Sequence, residues 1–226
     1  MYDMISTKKD TLKERYIDGA ILTGKYGFPQ LPLISADTSG LKSVPFNLAR
    51  KEKRPKESVC HCFIDDNRFS NLWNEPIKHI EYLQNFRYFI PPDFSFYSDM
   101  PLVLQIYQVY RTRAMHYYLS CFGINCIPVV GWSDESSFGF CFDGLPEHST
   151  LAVSTNGCFS KNGKECYRRG FSEMCRRLKP RNVIVVGRQI EVAEDVEIQY
   201  LDSFGQEMTK RIGEKDGKSQ RKETEL

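Results

Sequence analysis

From Val59 onward the chain repeats one unit: a short apolar run, a polar turn, then a stretch with helical spacing. Val59–Ile64 ends in Asp65-Asp66, Phe86–Ile90 in Pro91-Pro92-Asp93, and Cys126–Val130 in Gly131-Trp132-Ser133-Asp134. Leu151–Ser154 ends in Thr155-Asn156-Gly157, Val183–Val186 ends at Gly187, and Val196–Tyr200 reads as one more strand. Strands that are apolar almost without interruption are buried on both faces, which is the condition of a parallel sheet covered by helices.

The intervening segments read as those helices. Phe69–Leu83 is helical with an interruption at Pro76, and Met100–Phe122 is a long helix with Ser98 or Asp99 as cap, Pro101 in its first turn and Gly123 just past its end. Gly163–Lys179 sets Cys166, Tyr167, Phe171, Met174, Cys175 and Leu178 on one face, and Pro180 stops it. The predicted class is α/β, with a mainly parallel sheet built from βα repeats. Weaker apolar pieces at Leu31–Ile34 and Val44–Phe46 bring the candidate strands to eight, the number a closed (β/α) barrel needs. The first helices of such a barrel would be missing, so the expected architecture is a distorted or incomplete TIM-like barrel, with an open doubly wound sheet as the alternative.

With 226 residues, 41% of them hydrophobic, the chain can bury one substantial core. The expectation is a single α/β domain over residues 1–204, irregular over 1–58, followed by a charged disordered tail at 205–226. The start of the chain lacks the apolar run of a secretory signal, and Met100–Phe122 is broken by Gln105, Gln108, Arg111, Arg113 and His116, so no membrane partner is expected. The eight cysteines then fit a reducing compartment, and the expected location is cytoplasmic. A net charge of +2 leaves nucleic-acid binding to local patches, of which Arg50–Lys56 and Arg168–Arg177 are the candidates.

In either architecture chemistry collects at the C-terminal ends of parallel strands. There the sequence puts Asp65, Asp66, Asp93 and Asp134 as candidate catalytic carboxylates, able to form an acid/base pair or to hold a divalent ion such as Mg²⁺. Ser95, Trp132, Ser154 and Asn156 join them as candidate substrate contacts, with Arg111 on the long helix as a partner for the aspartates. Each aspartate has an ordinary alternative as a helix cap or Asx turn, Trp132 as a plug, and Arg111 as a surface-reaching side chain. Cys60-His61-Cys62 alternates its sulfurs and imidazole across a strand and lacks the further ligands of a zinc site, so no metal ligand is assigned.

Several of these residues lie in a recognisable pattern: His61-x-Phe63-x-Asp65-Asp66-x-Arg68-Phe69, Trp73, Pro76, then Pro92-Asp93-Phe94-Ser95 with Tyr97 and Met100-Pro101. Ile127-Pro128, Trp132, Ser154-Thr155, Gly157 and the strand ending at Gly187 continue it. The pattern resembles domain of unknown function family 4417, found in bacteria and their phages, over residues 20–205, departing from it at Val186, where the family carries an aromatic. The resemblance implies a phage or mobile-element setting and brings no catalytic residues with it. Two functional classes are therefore expected: a hydrolase using strand-end carboxylates on a glycosidic or phosphoester bond, or a non-catalytic protein that binds nucleic acid, a nucleotide or a host protein.

Overall fold

The computed structural model describes residues 11–209. A small antiparallel hairpin, β1 (Leu22–Thr23) with β2 (Phe28–Pro29), precedes two three-stranded parallel sheets. The first sheet holds β3 (Lys42–Pro45), β4 (Ser58–His61) and β5 (Tyr88–Ile90), in that order. The second holds β6 (Thr150–Ser154), β7 (Asn182–Val186) and β8 (Glu197–Leu201). Helices α1 (Ser70–Asn74), α2 (Ile77–Leu83), α3 (Leu102–Cys121) and α4 (Lys161–Leu178) supply the crossovers.

Between the sheets runs the segment 125–130, predicted as a strand. It bridges to both neighbours in the parallel sense, Phe89 to Cys126 and Val129 to Ala152, but forms no ladder. Ile127 N donates to the Phe89 carbonyl and Ala152 N to that of Pro128, and Pro128 itself has no amide to return. The parallel order β3, β4, β5, 125–130, β6, β7, β8 is thus continuous in space, with regular ladders in two pieces that the isolated bridges of segment 125–130 join. No ladder closes these strands into a barrel among the described residues; Ser43 Oγ of β3 donates to the Asp202 carbonyl, just past β8, at 2.7 Å. Nor does Leu31–Ile34 form a strand. Pro32 removes a donor there, and the chain is instead held by Ile34 N on Ser149 Oγ and Ala36 N on Thr150 Oγ1.

Burial on both strand faces creates three apolar layers. Cys60, Phe89 and Cys126 pack with Leu72, Leu83, Met115 and Leu119 of the helices on one side. Leu151, Val153, Val183 and Val185 pack with Tyr167, Phe171 and Met174 of α4. The alternate residues Val59, Ile90, Ile127, Val129, Ala152, Ile184 and Val186 meet each other in a third cluster enclosed by the strands. This is the period-two consequence of strands with no polar face.

Local signals set the helix ends. Ser160 caps α4 by accepting from Gly163 N at 3.0 Å, and Pro180 follows its end. Gly123 takes φ +74° past α3, as its position in the sequence implies. The start of α3 differs from expectation: Pro101 itself is the cap residue, and neither Ser98 nor Asp99 caps the helix. Residues 204–209 are helical, with Ser203 N donating to Gln206 Oε1 at 3.0 Å and Gln206 N to Ser203 Oγ at 3.4 Å, a reciprocal cap. The rest of the segment expected to be a disordered tail, 210–226, lies outside the described residues.

Candidate functional site

Parallel pairing carries the loops after β4, β5, 125–130, β6, β7 and β8 to one end of the molecule. Asp66 and Asp93 lie there on neighbouring loops. Asp66 accepts from Ser95 N at 3.3 Å and from Ser95 Oγ at 2.9 Å. Gln108 of α3 donates to the Ser95 carbonyl and accepts from Arg111 Nη1, both at 2.9 Å. Arg111 lies with its guanidinium 3.7 Å from the Phe94 ring centre, and its buried Nε has no hydrogen-bond partner. Asp66, Ser95, Gln108 and Arg111 thus form one connected polar group between the β5 loop and α3.

Asp93 stands beside this group and has no hydrogen bond among the described residues. Its Oδ1 lies 3.1 Å from where a β-carbon at Gly131 would sit, so the absence of a side chain there makes room for the carboxyl. Burial, then the nearby Asp66 charge, raise its pKa to about 7, although Arg113 opposes them. Half-buried, it combines partial access with a protonation state poised near neutrality.

The other candidates separate. Asp65 is exposed and pairs with Arg68 at 3.1 Å. Asp134 accepts from Ser136 N at 2.9 Å and caps the 3₁₀ turn Glu135–Gly139, and it faces a separate cleft of about 220 Å³ against α4. Trp132 is not at the mouth: its Nε1 donates to the Cys166 carbonyl of α4 at 3.2 Å and its ring packs on Gly170. Ser154 Oγ donates to the Val186 carbonyl and receives Asn156 N, while Asn156 Nδ2 donates to the Phe63 carbonyl across the mouth at 3.3 Å. The four aspartates do not converge, and no group of three or more His, Cys, Asp or Glu suited to a metal ion occurs among the described residues.

Beyond Ser154 and Asn156 opens a cleft of about 540 Å³, lined by Thr155, Asn156, Phe159, Arg188, Ser203 and Gln206 among others. Sequence reading reached Asn156, but not Gln108, Phe159 or the 203–209 wall. The Ser203-x-x-Gln206 spacing was the available signal for that wall.

Two buried basic side chains stand behind the site. His61 ends β4, is fully buried, and has both ring nitrogens without partners; burial lowers its pKa to about 3. Arg113 is buried with its guanidinium on three carbonyls, of Asp143 (3.0 Å), Val129 (2.9 Å) and Cys141 (2.6 Å), which ties α3 to segment 125–130.

The arginines of the two basic clusters have partners. Arg50 stacks 4.4 Å from the Tyr82 ring centre and donates to the Lys78 carbonyl, while Arg54 pairs with Glu57. Arg169 pairs with Glu135 and Glu165, Arg176 and Arg177 share Glu173, and Arg168 donates to the Glu191 carbonyl. No helix among the described residues is long and apolar enough to cross a membrane, and all eight cysteines are free.

The family described as "Domain of unknown function (DUF4417)" matches residues 21–203. The chain is similar to the "Gene 1 protein" of Mycobacterium phage D29, 35% identical over 169 residues, covering 71% of this chain and 62% of that protein. It is similar as well to the "Gene 1 protein" of Mycobacterium phage L5, 34% identical over 145 residues, covering 64% of this chain and 63% of that protein. The chain thus spans less than two thirds of the length of these phage relatives. No solved structure is significantly similar.

Proposed function

The chain belongs to the DUF4417 family, with relatives encoded by phages, and from that premise and the strand-end geometry we propose a hydrolase with a two-carboxylate acid–base centre. The observation that carries the reading is the pair of Asp93 and Asp66 on adjacent strand ends. One carboxyl is poised near pH 7 without a hydrogen bond, and the other is held by two hydrogen bonds from Ser95.

Their environments give them different roles. Asp93, protonated for part of the neutral range, donates its proton to the leaving-group oxygen of a glycosidic or phosphoester bond. Asp66 takes a proton from the attacking water, so that the water oxygen forms the new bond as the old one breaks. Arg111, linked to Ser95 through Gln108, keeps positive charge within electrostatic reach of Asp66. Asp65, Asp134 and Trp132 take structural parts in this reading, and the ring of strand ends acts as an incomplete, TIM-like mouth without barrel closure.

The test is turnover of chromogenic aryl glycosides, an aryl phosphate monoester and a bis-aryl phosphate diester by the purified chain. Asp93→Asn is expected to cut the rate about a hundredfold or more, with Asp134→Asn close to wild type. Failure to turn over either class of substrate, or an Asp93→Asn variant as fast as wild type, rejects the reading.

A further inference from the structure

We infer that the cleft at the ends of β6, β7 and β8 binds the phosphate group of a small phosphorylated molecule, with Arg188 as its cationic contact. None of the residues lining this cleft carries a carboxylate, and Arg188 supplies the positive charge. The other polar groups on its walls are hydroxyls and amides, from Thr155, Asn156, Ser203 and Gln206. Arg188 is exposed and forms no ion pair among the described residues, in contrast to Arg169, Arg176 and Arg177 of α4. Its guanidinium lies 3.8 Å from the Phe159 ring centre, which orients the fork without neutralising it. A planar, always-charged fork with its donors free is the group best matched to a phosphate.

The backbone around Arg188 is built to hold it there. Gly187 adopts φ +124°, a conformation side chains rarely take, and a β-carbon on it would come within 2.4 Å of Thr155 Oγ1. That same hydroxyl donates to the Arg188 carbonyl at 2.8 Å, fastening the residue after β7 to the loop after β6. The volume of about 540 Å³ falls in the range of small-molecule sites and favours a compact ligand over a nucleic-acid strand. Where the acid–base reading holds, this site makes the substrate a phosphoester; the binding itself does not depend on catalysis.

Titration calorimetry of the full chain with AMP, ribose 5-phosphate and inorganic phosphate tests the site, with adenosine as the uncharged control. The three phosphorylated probes are expected to bind and adenosine not; tighter binding of AMP than of ribose 5-phosphate would identify a nucleotide site, and equal binding a phosphosugar site. Arg188→Gln should weaken binding by about tenfold or more, Arg188→Lys should retain part of it, and both should melt with the wild type. Asp93→Asn should bind as wild type does, so that loss of turnover and loss of binding are separate results. Absence of binding by every phosphorylated probe, adenosine binding as well as AMP, or a folded Arg188→Gln variant with wild-type affinity overturns the proposal.

Discussion

The indole of Trp132 occupies the space a side chain at residue 170 would need: a β-carbon on Gly170 would lie 2.1 Å from Trp132 Cε2. Glycine in mid-helix ordinarily costs up to about 1 kcal/mol relative to alanine. Here the close approach of strand-end loop and helix outweighs that preference. Gly170→Ala is expected to lose about 1–3 kcal/mol in urea unfolding, with a red shift of Trp132 emission in a Trp73→Phe background. Combining it with Trp132→Ala should cost less than the two changes added. A Gly170→Ala variant as stable as wild type would remove Trp132 from the packing between α4 and segment 125–130.

Asp93 should make the protein more stable in acid than its other carboxylates do. Its folded-state pKa of about 7 exceeds the ordinary 3.8, so the folded chain keeps a proton that the unfolded chain has released. The associated stability is complete below the unfolded value and is lost as pH rises through 7. Asp93→Asn is therefore expected to gain stability over wild type above pH 7, by up to about 4 kcal/mol less what solvent screening removes. If Asp93 is the proton donor, turnover by the wild type falls over the same interval. Parallel denaturation curves for wild type and variant across pH 5–9 would disprove the shift.

His116 works in the opposite sense. Burial, with Arg113 nearby, depresses it from 6.5 to about 3, and neither ring nitrogen has a partner. As pH falls below 6.5 the unfolded chain takes up the proton first, so stability drains away toward pH 3. Between pH 7 and pH 5 this single group accounts for roughly 2 kcal/mol. His116→Leu should shrink the stability difference between those two pH values by that amount. An unchanged difference would mean that the imidazole titrates normally.

Arg113 is expected to tolerate even lysine poorly. Lysine keeps the charge but presents a point donor, unable to satisfy the three carbonyls of Asp143, Val129 and Cys141 together. Arg113→Lys should lose at least about 2 kcal/mol, since buried acceptors are left unpaired. A loss below about 0.5 kcal/mol would show that the guanidinium is dispensable to the join between α3 and segment 125–130.

Asp134→Ala should behave as the loss of a cap, costing about 0.5–2 kcal/mol and leaving turnover untouched. A large fall in rate with little loss of stability would return Asp134 to the catalytic group.

Much of the scaffold was readable because burial writes itself into strands. Val183–Val186 is apolar at every position, and a chain can hide both faces only inside a covered parallel sheet. The loops at the strand ends followed from that, and with them Asp66, Asp93, Ser95 and Asn156. Segment 125–130 had the apolar pattern of a strand, but Pro128 removes one donor from it, as Pro32 does from Leu31–Ile34. The aspartates could not be sorted by sequence, since capping and catalysis call for the same side chain.

The sequence by itself determined the class of fold and the end of the sheet where polar groups gather, because strand periodicity and burial are properties of neighbours along the chain. Which side chains meet there was decided by the tertiary structure alone. Trp132 turned to α4 because Gly170 left a space for it; the Asp93 carboxyl is raised toward neutrality because burial and the charge of Asp66 act on it; Arg188 faces a cleft without carboxylates because three distant loops leave it so. Enclosure, charge proximity and shared hydrogen bonds depend on residues brought together from far along the chain, and no local pattern encodes them.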